Sequence, residues 1–237
     1  TDKYYLGTGI SSSSFVNSGN SITPIPGQPL YTLISYQSPG LNTQGNPQGM
    51  LNKQLSTDYY AIANDTSRSN LSYSGTSVPK CFGSIINNFS WQGLSVSINI
   101  SYKLSYYFRR PFLSYDRLFN NGIGHREFTD CWKHTGDELI TNVPALVYPN
   151  NSQRDIFYGM SQVTVEKGDH IRLQYINVSY NLPENILKKC RLKDFQLYLN
   201  ASNIGILWRA NKKDIDPDLP NGLPLQKSYA VGIRSNF

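Results

Sequence analysis

LSVSINISYKLSYYF (residues 94–108) places Leu94, Val96, Ile98, Ile100, Tyr102, Leu104, Tyr106 and Phe108 at every even position. The odd positions are Ser95, Ser97, Asn99, Ser101, Lys103 and Ser105, polar throughout until Tyr107. A period of two sends successive side chains to opposite faces of a strand. The run therefore predicts a strand with one apolar and one wet face, sustained over all of 94–108. Strands of ordinary sheets run about 5–6 residues, whereas a tilted strand crossing a bilayer needs about 9–11 in the hydrocarbon. The wet face is small and hydroxyl-rich, as suits a watery interior. The apolar face ends in a Tyr/Phe cluster, as suits lipid contact with an interfacial aromatic girdle. Taken alone, the stretch leaves two readings open, a membrane barrel and a large soluble β-fold.

Composition narrows the field. The chain has 237 residues, 16% of them charged and 13% aromatic, with 17 Tyr. It contains no run of apolar residues long enough for a transmembrane helix, which leaves a barrel open because each barrel strand carries only a weak signal. The formal charge of +6 is scattered. Its one tight cluster, Lys188, Lys189, Arg191 and Lys193, reads as a solvated turn, and nothing points to nucleic acid. Cys81, Cys131 and Cys190 are far apart and odd in number, so they form no disulfide framework. His125, Cys131 and His134 lie close together at a spacing that matches no standard zinc site. Asp214, Asp216 and Asp218 form a D-x-D-x-D run without the sixth-position glycine and twelfth-position glutamate of a calcium loop, and read as a turn. No catalytic constellation is present, so the chain is expected to be neither an enzyme nor a cofactor protein. It does not begin with Met and shows no signal peptide, as expected of a processed product or a segment of something longer.

Further strands are predicted at 82–91, 170–182, 195–208 and 228–237, with weaker candidates at 3–16 and 28–36. In 170–182 the apolar parity flips from Ile171 and Leu173 to Ile176, Val178, Tyr180 and Leu182. In 195–208 it flips beyond Ser202, from Phe195, Leu197, Leu199 and Ala201 to Ile204, Ile206 and Trp208. A bulge would produce such a flip. Gln92–Gly93 between two strands is a tight-hairpin signal. The links at 92–93 and 183–194 are short, the latter with about one helical turn at Asn185–Lys189, while those at 37–81, 109–169 and 209–227 are long. Structureless loops of that length are uncommon in compact domains, whereas outer-membrane barrels combine short periplasmic turns with long extracellular loops. The fold class expected is all-β: an antiparallel transmembrane β-barrel segment of six or seven strands. A small barrel needs about eight strands, and an open sheet edge in lipid leaves backbone groups unsatisfied. The chain is therefore expected to be part of a larger barrel. Leu94, Val96, Ile98 and Ile100 are the expected lipid-facing residues, and Tyr229 and Phe237 belong to the expected terminal strand.

Several stretches resemble the C-terminal part of the SusC/RagA family of TonB-dependent outer-membrane transporters of Bacteroidetes. They are SVPKCFGSIINNFSWQGLSVSINISY (77–102), CWKHTGDELITNVP (131–144), VEKGDHIRLQYINVSYNLP (165–183), LKDFQLYLNASNIGIL (192–207), DIDPDLP (214–220) and SYAVGIRSNF (228–237). They occur in family order, and residues 1–76 match more loosely. The resemblance implies that 1–237 is the C-terminal part of a barrel of about 22 strands, with the plug, TonB box and first strands lying outside it. It implies residence in the outer membrane of a Gram-negative bacterium. It further implies TonB-dependent import of oligosaccharides or oligopeptides beneath a SusD-like lipoprotein lid, with a dimer of such pairs conceivable. Phe237 would then close the barrel and be recognised by the assembly machinery. Within the 109–169 loop, Tyr115, Phe119, Trp132, Tyr148 and Tyr158 are the candidate substrate contacts, because aromatic faces interleaved with Asn, Asp and Arg suit sugar rings and peptides. The rival from another class is a secreted all-β carbohydrate-binding or adhesion module whose apolar faces meet in a sandwich core.

Overall fold

The computed structural model describes residues 10–16 and 25–236. In chain order the elements are α1 (Ser12–Val16), β1 (Thr32–Tyr36), β2 (Gly40–Leu41), β3 (Pro47–Leu51), β4 (Gln54–Ser56), α2 (Tyr59–Asn64), β5 (Leu71–Thr76), β6 (Cys81–Trp91), β7 (Leu94–Leu104), β8 (Tyr107–Arg109), α3 (Tyr115–Asn121), α4 (Ser152–Met160), β9 (Val165–Lys167), β10 (His170–Asn181), α5 (Glu184–Cys190), β11 (Asp194–Arg209) and β12 (Ser228–Asn236). They fall into two compact units, one made of 1–78 with 107–166 and the other of 79–106 with 167–237.

The second unit is built on a five-stranded antiparallel meander ordered β12-β11-β10-β7-β6. Gln92 (φ 46°) and Gly93 (φ 86°) both lie in the left-handed region between β6 and β7, the conformation a two-residue hairpin of matching twist requires. A Cβ on Gly93 would also stand 2.6 Å from the Asn181 carbonyl oxygen. Bulges account for both parity flips. Between Leu173 and Tyr175 the register of β10 against β7 gains Gln174, and β11 gains a residue at each of two places against β10. Asn203 (φ 54°) and Gly205 (φ 143°) sit in the second strand's irregular stretch. In β10 the extra residue keeps Ile176, Val178 and Tyr180 on the face of Ile171 and Leu173, whereas in β11 Trp208 returns to the apolar face opposite Ile171 and Ile206 lies opposite Arg172 on the other one. α5 spans two turns where the sequence predicts about one. It ends on Arg191 in the left-handed region, whose N–H donates to the carbonyls of Leu187 and Lys188.

Four expectations are corrected here. The 94–108 run is not one strand: Ser105 takes φ 63°, β7 stops at Leu104, and Tyr106 and Phe108 turn into buried positions (5% and 7% exposed). The sheet holds five strands, not six or seven. The 28–36 candidate contributes β1, which pairs with β5 in a separate two-stranded sheet. The 3–16 candidate carries helix α1 over its described part; residues 1–9 and Phe237 lie outside the described residues. Among the described residues no closed barrel is formed: β6 and β12 each pair on one side only.

The first unit takes up most of two of the three long connections, 37–81 and 109–169. They are folded, not structureless. They take part in small sheets β1-β5, β2-β3-β4 and β8-β9, and α1, β1, α2, β5 and α4 contribute a core of Phe15, Val16, Ile34, Tyr36, Tyr59, Ile62, Leu71 and Phe157. Phe157 stacks on Tyr36 and packs against Tyr59, each at 5.2 Å between ring centroids. A Cβ on Gly49 would come within 2.7 Å of the Phe157 ring, so this strand approaches as closely as it does only with glycine there. The helices start on side-chain caps that satisfy otherwise orphaned N–H groups. Asp58 caps α2, Ser114 caps α3, and Asn151 caps α4 by accepting from Gln153 and Arg154. Arg109 replaces a hydrophobic plug with hydrogen bonds, donating to Ile34 O, Ser35 Oγ, Gly159 O, Ser161 O and Thr164 Oγ1 at 2.9–3.2 Å. Its burial lowers its pKa to about 10, and burial pushes the nearby Tyr36 hydroxyl up to about 12.

Candidate functional site

Directly opposed residues of an antiparallel pair share a face, so the register assigns every strand position of the meander. Leu94, Val96, Ile98, Ile100 and Tyr102 of β7 stand opposite Tyr180, Val178, Ile176, Leu173 and Ile171 of β10. The same rows continue through Trp91, Phe89 and Ile85 of β6, through Leu197, Leu199, Ala201 and Trp208 of β11, and on to Ile233, Val231 and Tyr229 of β12. Asn87, opposite Ile98, interrupts the face at the β6 edge. No Asp, Glu, Lys or Arg occupies a paired position on this face. Aromatics mark both ends, Trp91 and Tyr180 at one and Tyr102 and Trp208 at the other. The face is open: Phe89, Trp91, Val231 and Ile233 are 59–78% exposed. The four expected lipid-facing residues and Tyr229 thus share one continuous apolar surface. The strands run 9–16 residues, enough to cross a hydrocarbon layer at a tilt.

The opposite face is mostly wet, with Phe82, Ile86, Tyr198 and Ile206 set among its polar residues. Ser95, Ser97, Asn99, Ser101 and Lys103 stand opposite Ser179, Asn177, Tyr175, Arg172 and His170. The Asn200 amide donates to Asn177, and Gln174 donates to Ser101 Oγ at 2.7 Å. At one end the D-x-D-x-D run is used for ion pairing. Asp214 meets Arg209 at 2.6 Å, Asp216 meets Arg172 at 2.6 Å, and Asp218 meets Lys103 at 2.7 Å, His170 at 3.2 Å and Arg172 at 3.3 Å. Hydrogen bonds from His170 and Lys103 hold the Asp218 carboxyl well below the usual carboxylate range. Each of these aspartates thus has a basic partner where a cation would otherwise have to sit. Among the described residues no group of three or more His, Cys, Asp or Glu is placed to hold a metal.

In the first unit the candidate aromatic residues part company. Tyr115 and Tyr158 are each 1% exposed and do not offer their rings to a ligand. Tyr115 donates to Pro144 O at 2.7 Å and lies under the Arg154 guanidinium, and Tyr158 donates to Glu127. Large aromatics with a polar tip are the natural fillers of such an interior, provided the hydroxyl finds an acceptor, and from sequence alone they look like any other aromatic of the segment. Glu127, itself buried, ion-pairs with Arg110 and accepts from the Leu113 N–H. Tyr148 is at the surface, while Phe119 and Trp132 are half-buried, Phe119 packing against the cluster of Leu113, Tyr115, Cys131 and Val143. Phe119 meets Tyr148 edge-on at 5.2 Å, and Tyr148 is 80% exposed. Trp132 donates to Glu138 Oε2 at 2.9 Å and lines an open cleft of about 530 Å³ with Phe128, Thr129, Cys131, Lys133, Ala145 and Leu146. Leu139 and Ile140 nearby in sequence are 86% and 85% exposed. The sequence analysis did not single out these aliphatic residues, because no periodicity marks an isolated loop residue as exposed.

The class that this geometry defines is mainly β: open antiparallel sheets, the largest a meander with one apolar and one wet face, and a separate loop-built unit with a core of its own. No protein-family model matches the sequence, and no curated protein matches it either. Solved structures do match. The chain aligns with the RagAB peptide importer in its "open-open" state at TM-score 0.58 and 19% identity, covering 92% of this chain and 24% of that one. For the "closed-closed" state the values are 0.57, 19%, 92% and 25%. A further structure of the RagAB peptide transporter gives 0.58, 19%, 87% and 23%. At this identity the likeness concerns the fold, and it agrees at that level with the sequence resemblance. The chain spans about a quarter of the length of the chains it matches. No helix among the described residues is long and apolar enough to cross a membrane.

Proposed function

We propose that the chain is the C-terminal barrel portion of an outer-membrane nutrient importer of the SusC/RagA kind. It would take up oligosaccharides or oligopeptides with a SusD-like surface lipoprotein, and draw energy from TonB through a region outside this chain. The observation that carries the proposal is the five-stranded apolar face, free of charge, ended by aromatics and backed by a wet face. In water such a surface exceeds what soluble monomers expose; in a bilayer it is the ordinary outer wall of a barrel, with the wet face as its lining. The bare edges of β6 and β12 then pair with strands outside this chain, since unpaired edges are not tolerated in lipid. The likeness in fold to RagAB chains supports the same reading. A secreted sandwich module would need a second sheet over the apolar face, yet that face is exposed. The test is fractionation of the full-length protein from the cells that make it. Heat-modifiable mobility in the outer-membrane fraction, and co-purification with a surface lipoprotein, are expected. A monomer soluble without detergent would sink the proposal.

A further inference from the structure

We propose that residues 210–219, the first half of the β11–β12 connection, are a fixed restriction folded inward over the wet face, locked there by Asp216 and Asp218. The functional part of this inference rests on the reading that the wet face lines the importer's interior. Its structural part stands on register and contacts. His170 pairs with Lys103 and Arg172 with Ser101, which puts Lys103, His170 and Arg172 on the wet face of β7 and β10. The two aspartates reach all three, Asp218 touching each of them and Asp216 the arginine, at 2.6–3.3 Å. His170 and Arg172 are 1% and 3% exposed, although Ser97 and Asn177 further along the same face are only half-buried.

The segment is shaped to stay there. Asn211, itself 5% exposed, donates to Ile215 O and accepts from Ile215 N–H. Asp218 N–H donates to Asp216 Oδ1 at 3.0 Å, Leu219 N–H to Asp216 O, and Ala210 N–H to Asp169 O. A connection held only at its ends could stand away from the sheet. This one carries two carboxylates to basic groups on two neighbouring strands, and Arg172, 3% exposed, would lose its counter-charges if the segment moved off. A segment so placed sets how bulky a solute can pass along this wall, and its effect on passage is one of size.

The experiment uses the full-length transporter in native outer membranes, with its cysteines replaced by serine and one cysteine introduced at Ser97 or at Ile98. Labelling is followed with a small hydrophilic maleimide and with a bulky polyethylene-glycol maleimide. Ser97→Cys should react with the small reagent and slowly with the bulky one, and Ile98→Cys with neither. Adding Asp216→Asn and Asp218→Asn should speed the bulky reagent at Ser97→Cys by about tenfold or more, with hydrogen exchange of the 210–219 amides faster by a similar factor. Unchanged amide exchange in β10 and β11 shows that the variant is folded. If the bulky reagent reacts at one rate with and without the aspartates, the restriction is overturned while the importer reading stands. If Ile98→Cys reacts and Ser97→Cys does not, the face assignment fails and the importer reading with it.

Discussion

The two units solve the burial problem in opposite ways. In the first, apolar side chains turn inward: Phe15, Ile34, Tyr36, Tyr59, Ile62, Leu71 and Phe157 are all under 9% exposed. In the second, among the described residues, few apolar side chains are buried, Tyr106, Leu187, Ala201 and Pro217 among them, and most Leu, Ile and Val of the long strands lie on the open apolar face. Identical chemistry therefore means different things in the two halves. An apolar residue in the first unit is held by its neighbours, and in the second it waits for a surrounding. Polar groups mirror this. The first unit buries Arg110 and Arg154 and half-buries Arg109 against carbonyls and Glu127, while the second gathers Ser and Asn on its wet face.

The largest expected effect tests that contrast directly. Phe157→Ala should destabilise the first unit by about 3–5 kcal/mol, since it opens a cavity between Tyr36 and Tyr59. Val231→Ala on the open face should cost within about 0.5 kcal/mol, as an exposed substitution does. Hydrogen exchange over β1 and β5, and over β11, reads the two. Equal losses would erase the distinction between the units.

Next in size is a cation on the outward face. Ile98→Arg should block assembly of the full-length protein at a cost of about 2–4 kcal/mol, while Asn99→Arg on the wet face is tolerated. Heat-modifiable gel mobility separates folded from unfolded protein, and similar damage from both substitutions would break the face assignment.

A smaller effect sharpens how the first unit is held. Asn151→Ala removes the cap that accepts from Gln153 and Arg154 at 3.0 and 3.2 Å. It should weaken α4 by about 0.5–2 kcal/mol, and Asn151→Gly by only a few tenths. Amide exchange within α4 measures it; an alanine variant as well protected as the glycine one would show that the cap is idle.

The smallest effect is one of sign. Asp218 has its pKa lowered in the folded chain, so its contribution is present above the ordinary carboxylate value of about 3.9. That contribution is lost as pH falls through the lower folded value. Asp155 has its pKa raised by burial, so its contribution is present below the ordinary value and is lost as pH rises through the folded one. Because Asp218 is partly exposed, solvent weakens its term. On acidification below about pH 4, the 210–219 segment should loosen before the core around Phe157 does. Proteolysis of the folded protein at stepped pH would show the order, and core cleavage first would reverse it.

Alternation was enough to read the meander, its faces and the tight turn at Gln92–Gly93, because a period of two maps each residue to a face without knowledge of its neighbours. The parity flips were legible as irregularities for the same reason, and Asn203 and Gly205 supply the backbone that absorbs one of them. The motif resemblance and the fold likeness rest on that same strand pattern. Only the tertiary structure decided the rest. It decided that the 94–108 alternation breaks at Ser105, that β1 pairs with β5 outside the large sheet, and that the 37–81 and 109–169 connections contribute to a core. It also decided that Tyr115 and Tyr158 are buried while Phe119, Trp132 and Tyr148 are not, and that Asp216 and Asp218 reach back to β7 and β10. The physical reason is common to all of these. They depend on contacts between residues tens of positions apart, and no local period records which distant partner will exclude water from a ring or neutralise a charge.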